Sequence, residues 1–376
     1  MEVFGLVIIM LVTLFLLVLA LIKINRLEYQ RDCVPRVFQF NNKFDNYTLS
    51  DPLRFPFSKV IEKYGIQKVD KFEDANIILF SDYTLYDQNF NKINYKPKCN
   101  YKVFAINGVD LLANKKILAQ RLEGTEYIPK SYPLGCDQSM KRLLDDHKNE
   151  KMYILKKNIQ RQEGNLITTD VNYILGGKAH EDSYVVAQEL LQDPLLVNGR
   201  KINMRIYLLI VIKKNLCDWY IYNDGFIYYT PKHFVKGSSD KDVNITTGYI
   251  DRKVYEENPL TIKDLYKDMG IRNSHILQKN IEKCVSVVKN KYRDDFVKLN
   301  SETPGIKFCV YGIDIAPNED LDVVIIEANK GCSLNYHDER DGALKFGMIR
   351  DAFAVVNILD TNSEVNADNF IEINES

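Results

Sequence analysis

Apolar positions are distributed very unevenly along this chain. Val3 to Ile22 (VFGLVIIMLVTLFLLVLALI) is a run of twenty residues without a charge, long enough as a helix to span a hydrocarbon core of about 30 Å. Only Glu2 is charged ahead of it, and LALIKIN follows with no small-x-small cleavage site. The pattern therefore predicts a transmembrane anchor rather than a cleaved signal peptide. A buried core helix is the competing reading, but a terminal run that is apolar on every face suits it poorly. Lys23, Arg26, Arg31 and Arg36 come next. By the positive-inside tendency, the expectation is a single-pass membrane protein with the bulk of the chain facing the cytosol.

Beyond the run, short alternating segments replace continuous hydrophobicity. Ala75–Ser81 and Lys102–Ile106 read as strands of an α/β lead-in domain over residues 34–110. A helix is expected over about Asp110–Arg121. Strand patterns then follow at Tyr153–Lys157, Tyr184–Glu189, Lys201–Lys213, Trp219–Asn223 and Phe226–Thr230, and a helical pattern at about Asn273–Tyr292. Two last strands, Lys307–Ala316 and Asp322–Ala328, form a hairpin through Pro317, and a helix over about Gly342–Ile358 closes an α/β domain covering 111–358. The polar tail, 359–376, is expected to fray.

Composition adds mainly exclusions. Lys and Arg number 50 against 51 Asp and Glu, so overall charge supplies no argument for a nucleic-acid partner, and none is expected. The seven cysteines are scattered and never spaced CxxC, which disfavours a disulfide framework or zinc site and suits a reducing compartment. The five histidines form neither HExxH nor a local cluster.

Three segments could carry chemistry. Asp314 and Glu327 each interrupt an apolar strand pattern, and the midpoint between them falls inside the Pro317–Asp322 connection. A simple hairpin would set them opposite each other, with Asn329 on the same face. Such hard oxygen ligands suit Mg²⁺ held together with nucleotide phosphates, although acids on a solvated face fit the spacing equally well. Lys201, Asn203 and Arg205 alternate with Ile202, Met204 and Ile206, a strand with cations on one face and core on the other. Tyr153-Ile154-Leu155-Lys156-Lys157, followed by a polar loop with Arg161 and Gly164, reads as a strand delivering lysines and a loop able to cover phosphates. It is not a Walker A sequence, and taken alone it is also compatible with a plain surface hairpin.

The order of these elements resembles the ATP-grasp fold and, more closely, the tubulin tyrosine ligase family over about residues 110–358. Two stretches carry the likeness. One is Pro194-Leu195-Leu196-Val197 followed by Lys201-Ile202-Asn203-Met204-Arg205, where the family has Pro-Leu-Leu-Ile and then Lys-Phe-Asp-Ile-Arg. The other is Gly312-Ile313-Asp314 followed by Glu327-Ala328-Asn329 and Ser333-Leu334, where the family shows Gly-x-Asp and then Glu-x-Asn-x-x-Pro-Ser-Leu. The resemblance implies ATP and Mg²⁺ as cofactors. It places Lys156 on the α- and β-phosphates, Lys115 and Lys201 as further nucleotide-contacting lysines, and Gln188, Glu189, Leu190 and Leu191 around adenine. Arg205 would steady the transferred phosphoryl group, Thr246 would lie near the γ-phosphate, and Asp314, Glu327 and Asn329 would hold the metal. Asn203 stands where the family has Asp, Thr247 where it has Asn, and Gln162 where the phosphate loop has Gly. Most consequentially, Tyr228 replaces a substrate-side arginine. A phenol cannot reproduce the charged fork by which arginine holds a carboxylate, so the substrate does not carry over.

The expected reaction joins an amine to a carboxylate activated as an acyl phosphate, the substrates being an amino acid and a protein acceptor such as tubulin. An inactive membrane-tethered binding module, or a kinase on the same fold, are the alternatives. A binding module would show no substrate-stimulated phosphate release, and a kinase would leave a stable phosphorylated product.

Overall fold

The computed structural model describes residues 13–21, 23, 35–40, 55–71, 74–80, 102–147, 151–159, 164–248, 250–302, 305–362 and 364–374. Of the apolar N-terminal run, residues 13–21 are helical, and the rest lies outside the described residues. Among the described residues no helix is long and apolar enough to cross a membrane.

Two sheets organise the chain. The first four strands, β1 (Arg36–Phe40), β2 (Gln67–Lys68), β3 (Ile77–Phe80) and β4 (Lys102–Phe104), pair in parallel in the order β2-β1-β3-β4. Helix α1 (Phe55–Lys63) lies between β1 and β2 in the chain, whereas α2 (Val109–Ala113) and α3 (Lys115–Arg121) follow β4. The predicted single helix at 110–121 is thus two short ones. Asn114 divides them, because its side chain accepts from the amides of Lys116 and Ile117 and caps α3.

A small antiparallel sheet follows, ordered β5 (Ser131–Pro133), β8 (Val186–Glu189), β6 (Tyr153–Lys156), β7 (Leu166–Thr168). With α4 (Asp137–Asp146) it encloses its own core of Tyr132, Leu134, Leu143, Tyr153 and Leu155.

The chain then returns to the first sheet. β9 (Leu196–Val197) pairs with β10 (Arg200–Lys213), which lies between β11 (Leu216–Tyr229) and β12 (Ile306–Pro317). The two strands predicted at 219–223 and 226–230 are one strand, joined through a bulge where three residues, Tyr222 to Asp224, stand opposite Tyr207. Asp224 accepts there from the amides of Gly225 at 2.8 Å and Lys263 at 3.1 Å. Between β11 and β12 runs α5 (Ile262–Asn300), opened by a capping box of Thr261 and Asp264 and broken at Gly270, whose φ of 80° is non-helical.

One edge of β12 is covered by β10. Its other edge is shared: Ile306–Phe308 pair in parallel with β4, whereas Gly312–Pro317 pair with β13 (Val323–Asn329). The lead-in strands therefore extend the same sheet. An aromatic cluster packs the junction, with Phe57 on Phe104 at 4.7 Å, Phe104 on Phe308 at 5.2 Å, and Phe353 of α6 (Glu339–Val355) on Phe308 at 6.2 Å. The tail departs from expectation: β14 (Phe370–Glu372) pairs with β11. Val365, Phe370 and Ile373 are buried, and burying these three apolar side chains outweighs fraying.

Candidate active site

The cleft lies between the two sheets and is lined by residues of both. The small sheet contributes Ile154, Lys156, Gln188 and Glu189, with Leu190 and Leu191 just beyond β8. Lys201, Asn203, Tyr228, Asp314 and Glu327 come from the large sheet, and Asn244, Ile245 and Thr246 from the segment after β11. Ten of the residues singled out in the sequence meet here. Of the others, Lys115, Arg205 and Asn329 adjoin the carboxylates, and Arg161 lies outside the described residues.

Strand register explains the meeting. Arg205 of β10 faces Asp314 of β12, which faces Glu327 of β13. The hairpin closes with Pro317 opposite Val323 and Ile315 opposite Ile325, a register that would pair Asp314 with Ile326 and turn Glu327 towards the core. An extra residue, Ile326, bulges out and brings Glu327 opposite Asp314 instead. The pairing expected from the sequence is thus present, but a bulge produces it.

The side chains form one charged network. Arg205 grips Asp314 with two bonds, Nε to Oδ1 at 2.5 Å and Nη2 to Oδ2 at 3.0 Å. Gly312 makes this possible, since a Cβ there would lie 2.8 Å from both Arg205 Cδ and Cys332 Cβ. Lys115 Nζ stands 3.5 Å from Glu327 Oε2, and it also donates to the Ile159 carbonyl at 2.7 Å. Asn329 donates to Glu327 Oε1 at 3.2 Å. Lys156 donates to Gln188 Oε1 at 2.6 Å and to the Ile326 carbonyl at 3.0 Å. Gln188 in turn donates to Ser131 Oγ at 2.8 Å, which fixes its amide. Glu189 is ion-paired with Lys151.

Burial dominates the electrostatics. It lowers Lys156 to about 8, with nearby Glu327 opposing, and lowers Lys201 to about 8, with Asp193 opposing. The Asp314 carboxyl is pushed up to about 6 by burial, which outweighs its pairing with Arg205. Burial also acts against the Glu327 charge, yet Lys115 and Lys156 outweigh it and hold that carboxyl below the usual range. Two depressed lysines facing one cleft make a site whose charged form an anion would restore.

Several site features escaped sequence reasoning. Asn244 donates from Nδ2 to the carbonyls of Ser238 at 2.7 Å and Asp240 at 3.0 Å. Its Oδ1, like that of Asn203, is a buried cleft atom without a hydrogen-bond partner. The Asn244-Ile245-Thr246-Thr247 element was the available signal. The Ile326 carbonyl had none, because a bulge leaves no mark in residue type.

Comparison with known proteins agrees with this geometry. The model of the tubulin-tyrosine ligase family matches residues 60–365. The chain is 26% identical over 180 residues to rat "Probable tubulin polyglutamylase TTLL9", covering 46% of this chain and 38% of the relative. It is 24% identical over 298 residues to mouse "Tubulin polyglutamylase TTLL13", covering 72% and 35%. It is 21% identical over 350 residues to mouse "Tubulin polyglutamylase TTLL7", covering 82% and 36%. The matched region thus spans little more than a third of these relatives' own length. The large sheet, the smaller sheet and the cleft between them fit the ATP-grasp arrangement. With the family model covering most of its length, the chain belongs to the tubulin-tyrosine ligase family.

Proposed function

We propose that this protein is an ATP- and Mg²⁺-dependent ligase that joins an amino acid to a carboxylate of a protein substrate. The observation that carries this reading is the convergence of Lys156, Lys201 and the Arg205–Asp314–Glu327 array on one cleft between two sheets. The relatives are named as tubulin polyglutamylases, so tubulin is the first acceptor to test.

The residues present fit a nucleotide and its metal. The two depressed lysines are complementary to phosphate, and the partnerless acceptor oxygens of Asn203 and Asn244 suit a cation or a hydroxyl or amino donor of the same ligand. Among the described residues no group of three or more His, Cys, Asp or Glu could hold a metal. Asp314 and Glu327 with Asn329 instead form the sparse oxygen set that suits Mg²⁺ when phosphates complete its shell. ATP and Mg²⁺ bound there would supply the phosphoryl group that converts a carboxylate to an acyl phosphate, leaving ADP, and attack of an amine on the acyl carbon would expel inorganic phosphate and form the amide.

In this reading Lys156 and Lys201 neutralise phosphate charge, and Gln188 holds Lys156 in place. Leu190 and Leu191 wall the base pocket with Gln188 and Glu189. Thr246 contacts the terminal phosphate, and Lys115 supports Glu327. Arg205, anchored by Asp314, stabilises charge on the transferred group. Catalysis of this kind rests on positioning and electrostatics and needs no histidine base.

The test is mass spectrometry of tubulin and of whole-cell lysate incubated with the full chain, ATP, Mg²⁺ and mixed amino acids, beside Glu327→Gln. A Glu327-dependent increment matching an added amino acid is expected. A phosphate increment would replace the ligase with a kinase, and the absence of both with ATP intact would leave a binding module.

The N-terminal run is assigned as a membrane anchor with the cleft on the cytosolic side. Supporting this, Leu14, Phe15, Leu16, Leu17, Val18 and Leu19 are consecutive helical residues, each 45–63% exposed, so none of these six side chains is buried among the described residues. Carbonate extraction of membranes should leave the full chain in the pellet and release a variant lacking residues 1–30. Recovery of the full chain in the supernatant would remove the anchor.

A further inference from the structure

Tyr228 lines the cleft, sits opposite Asn203 in the ladder, and has the Arg205 guanidinium 5.1 Å from its ring centre. A ligase of the proposed kind must hold its incoming amino acid in the cleft, amine towards the activated carboxyl, and every amino acid brings a carboxylate of its own. Left unpaired in a partly buried site, that charge is expensive. The neutral phenol of Tyr228, pushed up to about 12 by burial, supplies no charge to meet it.

The cations nearby are mostly committed. Both bonding edges of the Arg205 fork that face Asp314 are occupied. Lys345, side chain 6% exposed, is 2.7 Å from Asp341 and also donates to the Asn335 carbonyl at 2.5 Å. Arg252 differs from both. It meets Asp338 through Nη2, while its Nε is buried and has no hydrogen-bond partner. The Nε atoms of Arg36 and Arg142 are in the same state, so what sets Arg252 apart is its place beside the wall of the cleft.

The path of the chain connects Arg252 to the cleft. From Thr246 in the cleft wall it passes Gly248, whose backbone lies so close to Tyr228 that an added Cβ would be 3.4 Å from the ring. Arg252 then stacks over Tyr255 at 4.6 Å. Tyr255 is fixed by donating to the carbonyl of Ile227, the residue before Tyr228, at 3.0 Å. Asp338 is fixed as well, because its other oxygen caps α6 by accepting from the Asp341 amide. Arg252 is therefore a held guanidinium with one donor unfilled, linked to Tyr228 through the ring of Tyr255 and the backbone of Ile227.

We propose that Arg252 binds the α-carboxylate of the amino-acid substrate, a role that Tyr228 cannot fill; this rests on the ligase reading above. Nε would donate to that carboxylate and the guanidinium charge would offset it, while Nη2 stays on Asp338. Asp338 acts as a positioning residue, keeping the fork turned.

The test is titration calorimetry on the full chain in detergent, saturated with the non-hydrolysable analogue AMPPNP and Mg²⁺. L-glutamate, glycine and L-tyrosine are each compared with their α-amides. The wild-type protein is expected to prefer at least one of these amino acids over its amide by tenfold or more. Arg252→Gln should erase that preference with AMPPNP affinity unchanged, and Arg252→Lys should keep part of it, since charge remains but the fork is lost. A purely structural role for Arg252 would shift acid and amide binding together. An undiminished preference in Arg252→Gln overturns the assignment and leaves the ligase standing. Binding of AMPPNP without any of the three amino acids overturns the assignment together with the ligase reading on which it rests.

Discussion

Lys156 Nζ donates to the Ile326 carbonyl at 3.0 Å, and that bond ties the small sheet to the large one across the cleft. Ile326 is the bulged residue of β13, and a bulge leaves its residue out of the ladder. The irregularity that brings Glu327 opposite Asp314 thus also exposes an acceptor for a lysine from the other sheet. One local defect therefore places both a carboxylate and a cation of the site.

Lys156→Met should weaken ATP binding by about 10- to 100-fold, the effect of losing one charge-assisted contact of roughly 1.5–3 kcal/mol. Equilibrium binding of a fluorescent ATP analogue measures this directly. An unchanged affinity would remove Lys156 from the phosphate site.

Lys201 predicts a pH dependence of unusual sign. Its folded value of about 8 lies below the unfolded value of about 10.4. The burial penalty is therefore full below pH 8 and fades as pH rises towards 10.4, so this group makes the ligand-free protein more stable over that window. Nucleotide binding favours the charged form and should weaken between pH 8 and 9 with net proton uptake, seen by calorimetry in buffers of different ionisation enthalpy. Lys201→Met removes a penalty of about 3 kcal/mol. It should raise the melting temperature of the ligand-free protein while abolishing most of the further rise caused by ATP.

Asp314→Asn leaves Arg205 buried without its counter-charge, and breaking a buried pair from one side costs about 3–5 kcal/mol. Denaturant unfolding should show a loss of that order. Glu327→Gln, which keeps the Arg205–Asp314 pair intact, should cost distinctly less while still removing ligation. Equal destabilisation by the two substitutions would contradict the pairing described here.

Gly312→Ala should force Arg205 aside, because the new methyl would lie 2.8 Å from its Cδ. Overpacking of this kind costs about 1–3 kcal/mol. The sharper signature is kinetic: turnover should fall at least tenfold while ATP affinity changes little. A parallel loss of both would mean that Arg205 also holds the ground-state nucleotide.

Much of this site was legible because its residues alternate on long strands. Lys201, Asn203 and Arg205 share a face by the period of two, and that face meets Asp314 once β10 and β12 pair. What escaped notice was non-local or irregular. The joining of β4 to β12 brings together residues about 200 positions apart, which no periodicity reveals. The bulge at Ile326 is set by ladder closure from the turn outward, not by residue type. β14 is only three residues long in a polar segment, so its pattern was too short to register, although Phe370 and Ile373 provide its anchors.

The shared edge of β12 has a consequence for how the protein is made. β4 is synthesised some 200 residues before the strand beside it, Ile306–Phe308, and the edge of β11 waits for Phe370–Glu372. In that interval the growing sheet presents unpaired edges and an uncovered aromatic cluster around Phe57 and Phe104. Such late, long-range closure folds slowly and exposes aggregation-prone surfaces. The sheet is complete only once Phe370–Glu372 has been added, and deleting that strand should lower the yield of folded protein before it touches the cleft.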